Sequence, residues 1–216
     1  MTLKAKGIII DLDGTLVDSR EAYREALKKA LAAVGLKNFN IKIAIEIPRR
    51  LEQGLPIGDL IPKCDVERFL GVYLKTYYSL TESKTKPLPD VSKTLEELSI
   101  KAKLAVVTMR YVPREKVRKE LENFGMAKYF HSILTALDTP SPKPSPEALI
   151  KSAQQLGVKI EECISVGDSV VDVRAGKNSG AKAVAVLSGI FTREELEKEN
   201  PDLILQSINE LPCFIN

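Results

Sequence analysis

The 216-residue chain is poor in the side chains on which much enzyme chemistry depends. It has one histidine, His131, and three widely spaced cysteines, Cys64, Cys163 and Cys213. A single imidazole cannot build a histidine-rich metal site, and the cysteines form neither a C-x-x-C pair nor a disulfide framework. Thiol, zinc and Ser-His-Asp chemistry are therefore poor readings. No apolar run approaches the ~18 residues that span a bilayer. The apolar segment Gly7 to Ile10 is too short for a signal peptide and runs directly into Asp11. The expectation is a soluble, cytoplasmic protein with no membrane partner. The phosphate-binding patterns G-x-x-x-x-G-K-[ST] and G-x-G-x-x-G are both missing. With 32 basic against 29 acidic residues, the net charge of +3 is too small to indicate a nucleic-acid surface.

What is present is a globular mix, 44% apolar and 28% charged, which can bury a core. Gly7-Ile-Ile-Ile-Asp-Leu-Asp13, ended by Gly14, has the pattern of a strand buried on both faces of a parallel sheet. Asp18 opens an Asp-x-x-Glu sequence resembling a capping box. Tyr23, Leu27, Ala30, Leu31 and Val34 then predict a helix that stops at Gly35. From Ile41 to Ser83, breaks at Pro48, Pro56, Gly58 and Pro62 predict two or three helices, with 66–80 the longest and no strand. After Pro87-Leu-Pro89 the pattern alternates. Strands are expected at 104–107, 132–137, 163–166, 183–187 and 203–205, and helices at 114–124, 146–156 and 171–177. This predicts an α/β fold, a doubly wound parallel sheet built from residues 1–17 and 86–216, with a small all-helical insert at 18–85 after the first strand.

Ligands bind beyond the carboxyl ends of strands in such sheets, so polar residues there merit a functional reading. Asp11 and Asp13, two apart, leave the same side of the first strand. An Asx turn with a helix cap is the structural alternative. Thr108 ends a second strand, where a threonine is often only a good strand former. Lys143 sits in the stiff loop Pro140-Ser-Pro-Lys-Pro-Ser-Pro146, which otherwise reads as a polyproline segment. Asp168 and Asp172 flank a helix start, where capping accounts for one of them. Together, Asp11, Asp13 and Asp168 are hard oxygen donors suited to Mg²⁺, and Lys143 and Thr108 can neutralise a phosphoryl group.

In sequence order, Asp11-Leu-Asp13-Gly14-Thr15, strand-terminal Thr108, Lys143 in Lys-Pro-x-Pro and Gly167-Asp168-Ser-x-x-Asp172 resemble the four signatures of the haloacid dehalogenase superfamily of phosphohydrolases. The likeness runs over nearly the whole chain. Its closest subgroup is phosphoglycolate-phosphatase-like and sugar-phosphate-phosphatase-like, with a small helical cap. The resemblance implies Asp11 as the nucleophile that forms an aspartyl-phosphate and Asp13 as general acid and then general base. It implies Thr108, the Met109 amide and Lys143 as phosphate-binding groups. Magnesium would be held by Asp11, the Asp13 carbonyl and Asp168, with Asp172 in support. The activity implied is Mg²⁺-dependent hydrolysis of a small phosphorylated metabolite. A phosphomutase of the same superfamily, or a non-catalytic receiver-like signalling protein, is the alternative.

One departure is visible. Where the family often has Asn or Gly after the threonine, this chain has Met109-Arg110. In the insert, Arg49 and Arg50 are expected either to reach a second anionic group of the substrate or to form a solvated helix face. Residues 18–85 hold 12 basic and 9 acidic residues, so the whole net charge of +3 lies in the insert.

Overall fold

The first strand, β1 (Gly7–Ile10), is buried along its whole length. That is why its run of three isoleucines needs no polar alternation. In the computed structural model, which describes residues 2–36, 40, 42–61 and 64–216, the chain divides into two compact units. One is Met1–Val17 with Pro87–Asn216, and the other is Asp18–Lys86.

The first unit is an α/β sheet structure. After β1 and the short strands β2 (Val17–Asp18) and β3 (Lys86–Pro87), which pair with each other, helix α4 (Val91–Lys101) leads into β4 (Lys103–Val107). Then follow α5 (Arg114–Asn123), β5 (Phe130–Leu134), α6 (Glu147–Leu156), β6 (Cys163–Gly167), α7 (Val170–Ser179), β7 (Lys182–Val186), α8 (Arg193–Glu197) and β8 (Leu203–Leu205). The sheet has six strands in the order β5-β4-β1-β6-β7-β8, and every pairing is parallel. The chain builds outward from β1 on one side and then returns to its other side, so the doubly wound order reverses at β1. Ile9, Val107 and Leu134 pack with Ala148, Leu149, Ala153 and Ala175 of α6 and α7. Ile8 and Ile10 turn to the opposite face by strand alternation and are equally buried.

The register places the functional ends level with one another. Ile10 pairs with Val106 on one side and Val166 on the other, and the Asp11 N–H donates to Val166 O at 2.8 Å. The residues that follow each strand therefore emerge side by side.

The second unit is helical: α1 (Arg20–Ala33), α2 (Ile43–Glu52) and α3 (Val66–Lys84). Ala22, Ala26, Leu27, Ala30 and Leu31 of α1 form a stripe at i, i+4, i+5, i+8 and i+9 spacing against Phe69, Tyr73 and Tyr77 of α3, and Tyr23 stacks on Tyr77 with centroids 5.1 Å apart.

Several local expectations need correction. No capping box forms at Asp18. Its carboxylate instead takes the Arg20 backbone N–H and guanidinium, while Glu21 pairs with Lys84. Pro48 does not break a helix but lies buried inside α2. Pro146 is the cap before α6 rather than its first residue, and β5 begins and ends earlier than expected, at Phe130–Leu134. Helices α4 and α8 were not anticipated. The Ile41 start and the Pro62 break lie outside the described residues.

Candidate active site

The strand ends bring five loops together, those after β1, β4, β5, β6 and β7. Gly14 turns the chain after Asp13 with φ +81°, a left-handed conformation natural to glycine. A methyl group there would also lie 2.6 Å from the Asp168 carboxylate. The loop after β1 thus sits directly against the loop after β6. From the loop after β7, Gly189 comes closer still, since a Cβ on it would fall 1.6 Å from Asp168 Oδ2. Asp168 accepts from the Ile190 N–H at 3.2 Å and from the Thr15 hydroxyl at 3.4 Å.

Lys143 links three elements from a buried position. Its ammonium donates to Asp11 Oδ1 at 2.6 Å, to Asp172 Oδ1 at 2.5 Å and to the Val107 carbonyl at 3.0 Å. Three donors thereby meet three acceptors. The second oxygen of Asp172 accepts from the N–H and hydroxyl of Ser169, which caps α7 in a reciprocal capping box. Capping and site support therefore coincide in Asp172.

Thr108 is buried, its N–H donates to Leu134 O, and its hydroxyl accepts the Arg110 N–H at 3.3 Å. The Asp13 side chain pairs with Arg110. Nε donates to Oδ2 and Nη2 to Oδ1, each at 2.7 Å. The other edge of the guanidinium meets Glu120 of α5, with Nη1 to Oε2 at 2.5 Å. Glu120 and Gly189 were not singled out from sequence, and Arg110 stood out there only as a departure from the family pattern after Thr108.

The electrostatics are lopsided. Burial, reinforced by Asp172 and Asp13, pushes Asp11 up to about 7 against the pull of Lys143. Burial raises Asp168 well above the usual carboxylate range, with Asp11 and Asp172 adding to it. For Lys143 burial alone would act downward, but Asp11 and Asp172 hold the ammonium above the ordinary lysine range. Three buried carboxylates thus share one ammonium. One oxygen from each of Asp11, Asp168 and Asp172 lies within 4.8 Å of the others. Hard oxygen donors carrying surplus negative charge in a buried cluster fit a small divalent cation such as Mg²⁺. In the insert, Arg50 is engaged by Glu46, Asp59 and the Pro56 carbonyl, and Arg49 lies 3.8 Å from Glu46.

The buried lysine and the clustered carboxylates stand at the switch point of a doubly wound sheet, where α/β enzymes of this architecture bind their ligands. The chain belongs to the haloacid dehalogenase-like hydrolase family, whose model matches residues 8–186. It is similar to the pyrophosphatase PpaX of Halalkalibacterium halodurans, 31% identical over 208 residues that cover 94% of each chain. It is also similar to the phosphoglycolate phosphatase of Escherichia coli K12, 31% identical over 230 residues covering 95% of this chain and 90% of that one. Among solved structures, a haloacid dehalogenase-like family hydrolase from Streptococcus pneumoniae superposes with a TM-score of 0.81 at 21% identity, covering 97% of this chain and 98% of that one. That likeness is one of fold. Family membership leaves no place for the receiver-domain alternative. No helix among the described residues is long and apolar enough to cross a membrane.

Proposed function

We propose that the chain is a Mg²⁺-dependent phosphatase that releases phosphate from a small phosphorylated metabolite, a phosphoglycolate- or sugar-phosphate-like monoester, through an aspartyl-phosphate on Asp11. The observation that carries this reading is the 2.6 Å contact between Lys143 and Asp11 Oδ1 at the switch point. It orients the carboxylate and leaves Oδ2 as the nucleophile.

In this reading Oδ2 attacks phosphorus as the bond to the leaving oxygen breaks, and Asp13 gives that oxygen a proton. Asp13, now a carboxylate, takes a proton from water as the water attacks phosphorus. The bond to Asp11 breaks, and phosphate and the free carboxylate return. Lys143, the Thr108 hydroxyl and the Met109 amide hold the phosphoryl oxygens and neutralise their charge. Asp11, Asp168 and the Asp13 carbonyl would hold Mg²⁺, with Asp172 in support, and the ion would supply charge neutralisation for the phosphoryl group. Aspartates as acid and base suit a chain with one histidine. The insert, residues 18–85, carries a net charge of +3, which suits a small anion.

The test is phosphate release from p-nitrophenyl phosphate, phosphoglycolate, sugar phosphates and pyrophosphate, with Mg²⁺ and with EDTA. Turnover that requires Mg²⁺ and is lost in Asp11→Asn is expected. No turnover by the wild type, or undiminished turnover by Asp11→Asn, would sink the reading. Pyrophosphate as the favoured substrate would move the substrate class to anhydrides. An isomerised sugar phosphate in place of free phosphate would make the chain a mutase.

A further inference from the structure

The loop that follows β7 lies outside the four sequence signatures, yet it meets the site at two points. The Ser188 hydroxyl donates to the Gly14 carbonyl at 2.7 Å, and two residues on the Ile190 N–H donates to Asp168 Oδ2 at 3.2 Å. Gly189 lies between them, packed so closely on Asp168 that no side chain fits without displacing the carboxylate.

Gly14 is the residue that most needs such a hold. At φ +81° it occupies a conformation that glycine enters and leaves easily, because it has no Cβ to forbid the alternatives. The structure holds it from both sides. Its N–H donates to the Val17 carbonyl at 2.7 Å, and its carbonyl accepts from Ser188. The first bond closes a local turn. The second comes from 174 residues away and ties that turn to the loop that also holds Asp168. The peptide joining Asp13 to Gly14 is trans and planar, so whatever fixes the Gly14 N–H also fixes the Asp13 carbonyl, which points the opposite way.

From this geometry we infer that Ser188 is a positioning residue for the divalent cation: by clamping Gly14 it holds the Asp13 carbonyl in register with Asp168 and so sets affinity and selectivity for Mg²⁺. The inference rests on the reading of Asp11, Asp168 and the Asp13 carbonyl as cation donors given above. Ser188 acts through the backbone of Gly14 and is not itself a donor to the ion. Mg²⁺ demands near-ideal octahedral geometry at short distances, whereas Ca²⁺ accepts looser arrangements of oxygens. A loop freed at Gly14 therefore penalises Mg²⁺ first.

The experiment measures Mg²⁺ and Ca²⁺ binding to the metal-free protein by isothermal titration calorimetry, with thermal melts in EDTA and in each ion. The variants are Ser188→Ala, Ser188→Thr and Ser188→Val, with Asp168→Asn as reference. Losing a group that orients a metal ligand costs roughly 10–100-fold in affinity, so Ser188→Ala should bind Mg²⁺ about tenfold more weakly and Ca²⁺ within about threefold of wild type. Ser188→Thr keeps the hydroxyl and should stay within about threefold for both ions, while Asp168→Asn should lose more than about tenfold for Mg²⁺. Threonine and valine have nearly the same shape, so the gap between those two variants isolates the hydroxyl and carries the test if Ser188→Ala does not fold. In EDTA the alanine variant should melt within about 4 °C of wild type, the shift expected from one hydrogen bond, and the rise on adding Mg²⁺ should shrink.

Unchanged Mg²⁺ affinity in Ser188→Ala, an equal loss for both ions, or a threonine variant as weak as the valine one would overturn the inference while Asp168→Asn still loses Mg²⁺. If the wild type binds no Mg²⁺, or Asp168→Asn binds it as tightly as wild type, the cation reading fails and the role of Ser188 fails with it.

Discussion

Replacing the nucleophile should make the protein more stable as well as inactive. Asp11 is buried beside Asp172 and Asp13, and its proton affinity is raised from the ordinary 3.8 to about 7 despite Lys143. The folded protein therefore holds this proton more tightly than the unfolded chain does. Stability from this group is lost as pH rises between those two values, and the full cost is present above about 7. Each tenfold difference in proton affinity is worth ~1.4 kcal/mol, so keeping Asp11 ionised costs on the order of 4 kcal/mol without metal. Asp11→Asn removes the charge but keeps an oxygen for Lys143. Weakening that charged hydrogen bond gives back about 2 kcal/mol, which leaves a net gain of roughly 2 kcal/mol. For a protein of this size that is a rise of about 4–8 °C in the melting temperature. The assay is thermal unfolding followed by far-UV circular dichroism in EDTA, at about pH 5 and about pH 8. The gap should be small at the lower pH, where wild-type Asp11 carries its proton, and wide at the higher. A variant that melts no higher than wild type at the higher pH, or a gap that does not depend on pH, would refute the electrostatic account of the cluster.

Two further outcomes follow from burial and close approach. Gly189→Ala places a methyl group where Asp168 Oδ2 now sits, so the carboxylate must move. Activity should fall by on the order of 10²-fold, with a stability loss of about 1–3 kcal/mol, as measured by kcat, Mg²⁺ titration and thermal melts. Cys163 is buried and its thiol is pushed up to about 11 by desolvation, whereas Cys213 is exposed. At about pH 8 an aromatic disulfide reagent should label Cys213 within minutes and Cys163 only on unfolding, as mapped by mass spectrometry, because only ~10⁻³ of the buried thiol is ionised.

Much of the α/β architecture was legible because parallel strands carry an unusually plain signal. A continuous β-branched run such as Ile8 to Ile10 needs no alternation when both faces are covered, and polar residues at its end stand out against it. The approach of Asp11 and Asp168 follows from strand-end position once the sheet is taken as doubly wound, whereas Lys143 reaches Asp11 from well along the loop after β5. Other features turned on competition between local groups. The Asp18 carboxylate is shared between the backbone N–H of Arg20, the first residue of α1, and the Arg20 guanidinium, so no reciprocal box with Glu21 forms. Pro48 falls in a helix of ten residues, where one missing N–H is tolerated because the residue is buried against its neighbours. Helix α4 carried its signal in Val91, Thr94, Leu95 and Leu98, but it begins after Asp90 at φ +60°, a conformation that no residue pattern announced.

The triad of Asp13, Arg110 and Glu120 was the least legible part, because it joins positions 97 residues apart through side-chain reach. One clue was available. Glu120 lies on the face of α5 that Val117 and Leu121 bury, and a charged residue on an apolar face needs a partner.

The level pairing of Ile10 with both Val106 and Val166 sets where the gene tolerates change in length. Adding or removing one residue inside β1, β4 or β6 would turn every following side chain of that strand to the opposite face. It would also slide Asp11, Thr108 or Asp168 along the sheet by about 3.3 Å. Among homologues, insertions and deletions should therefore collect in the connections and spare these three strands. An alignment that opens a gap inside one of them has been drawn in the wrong frame.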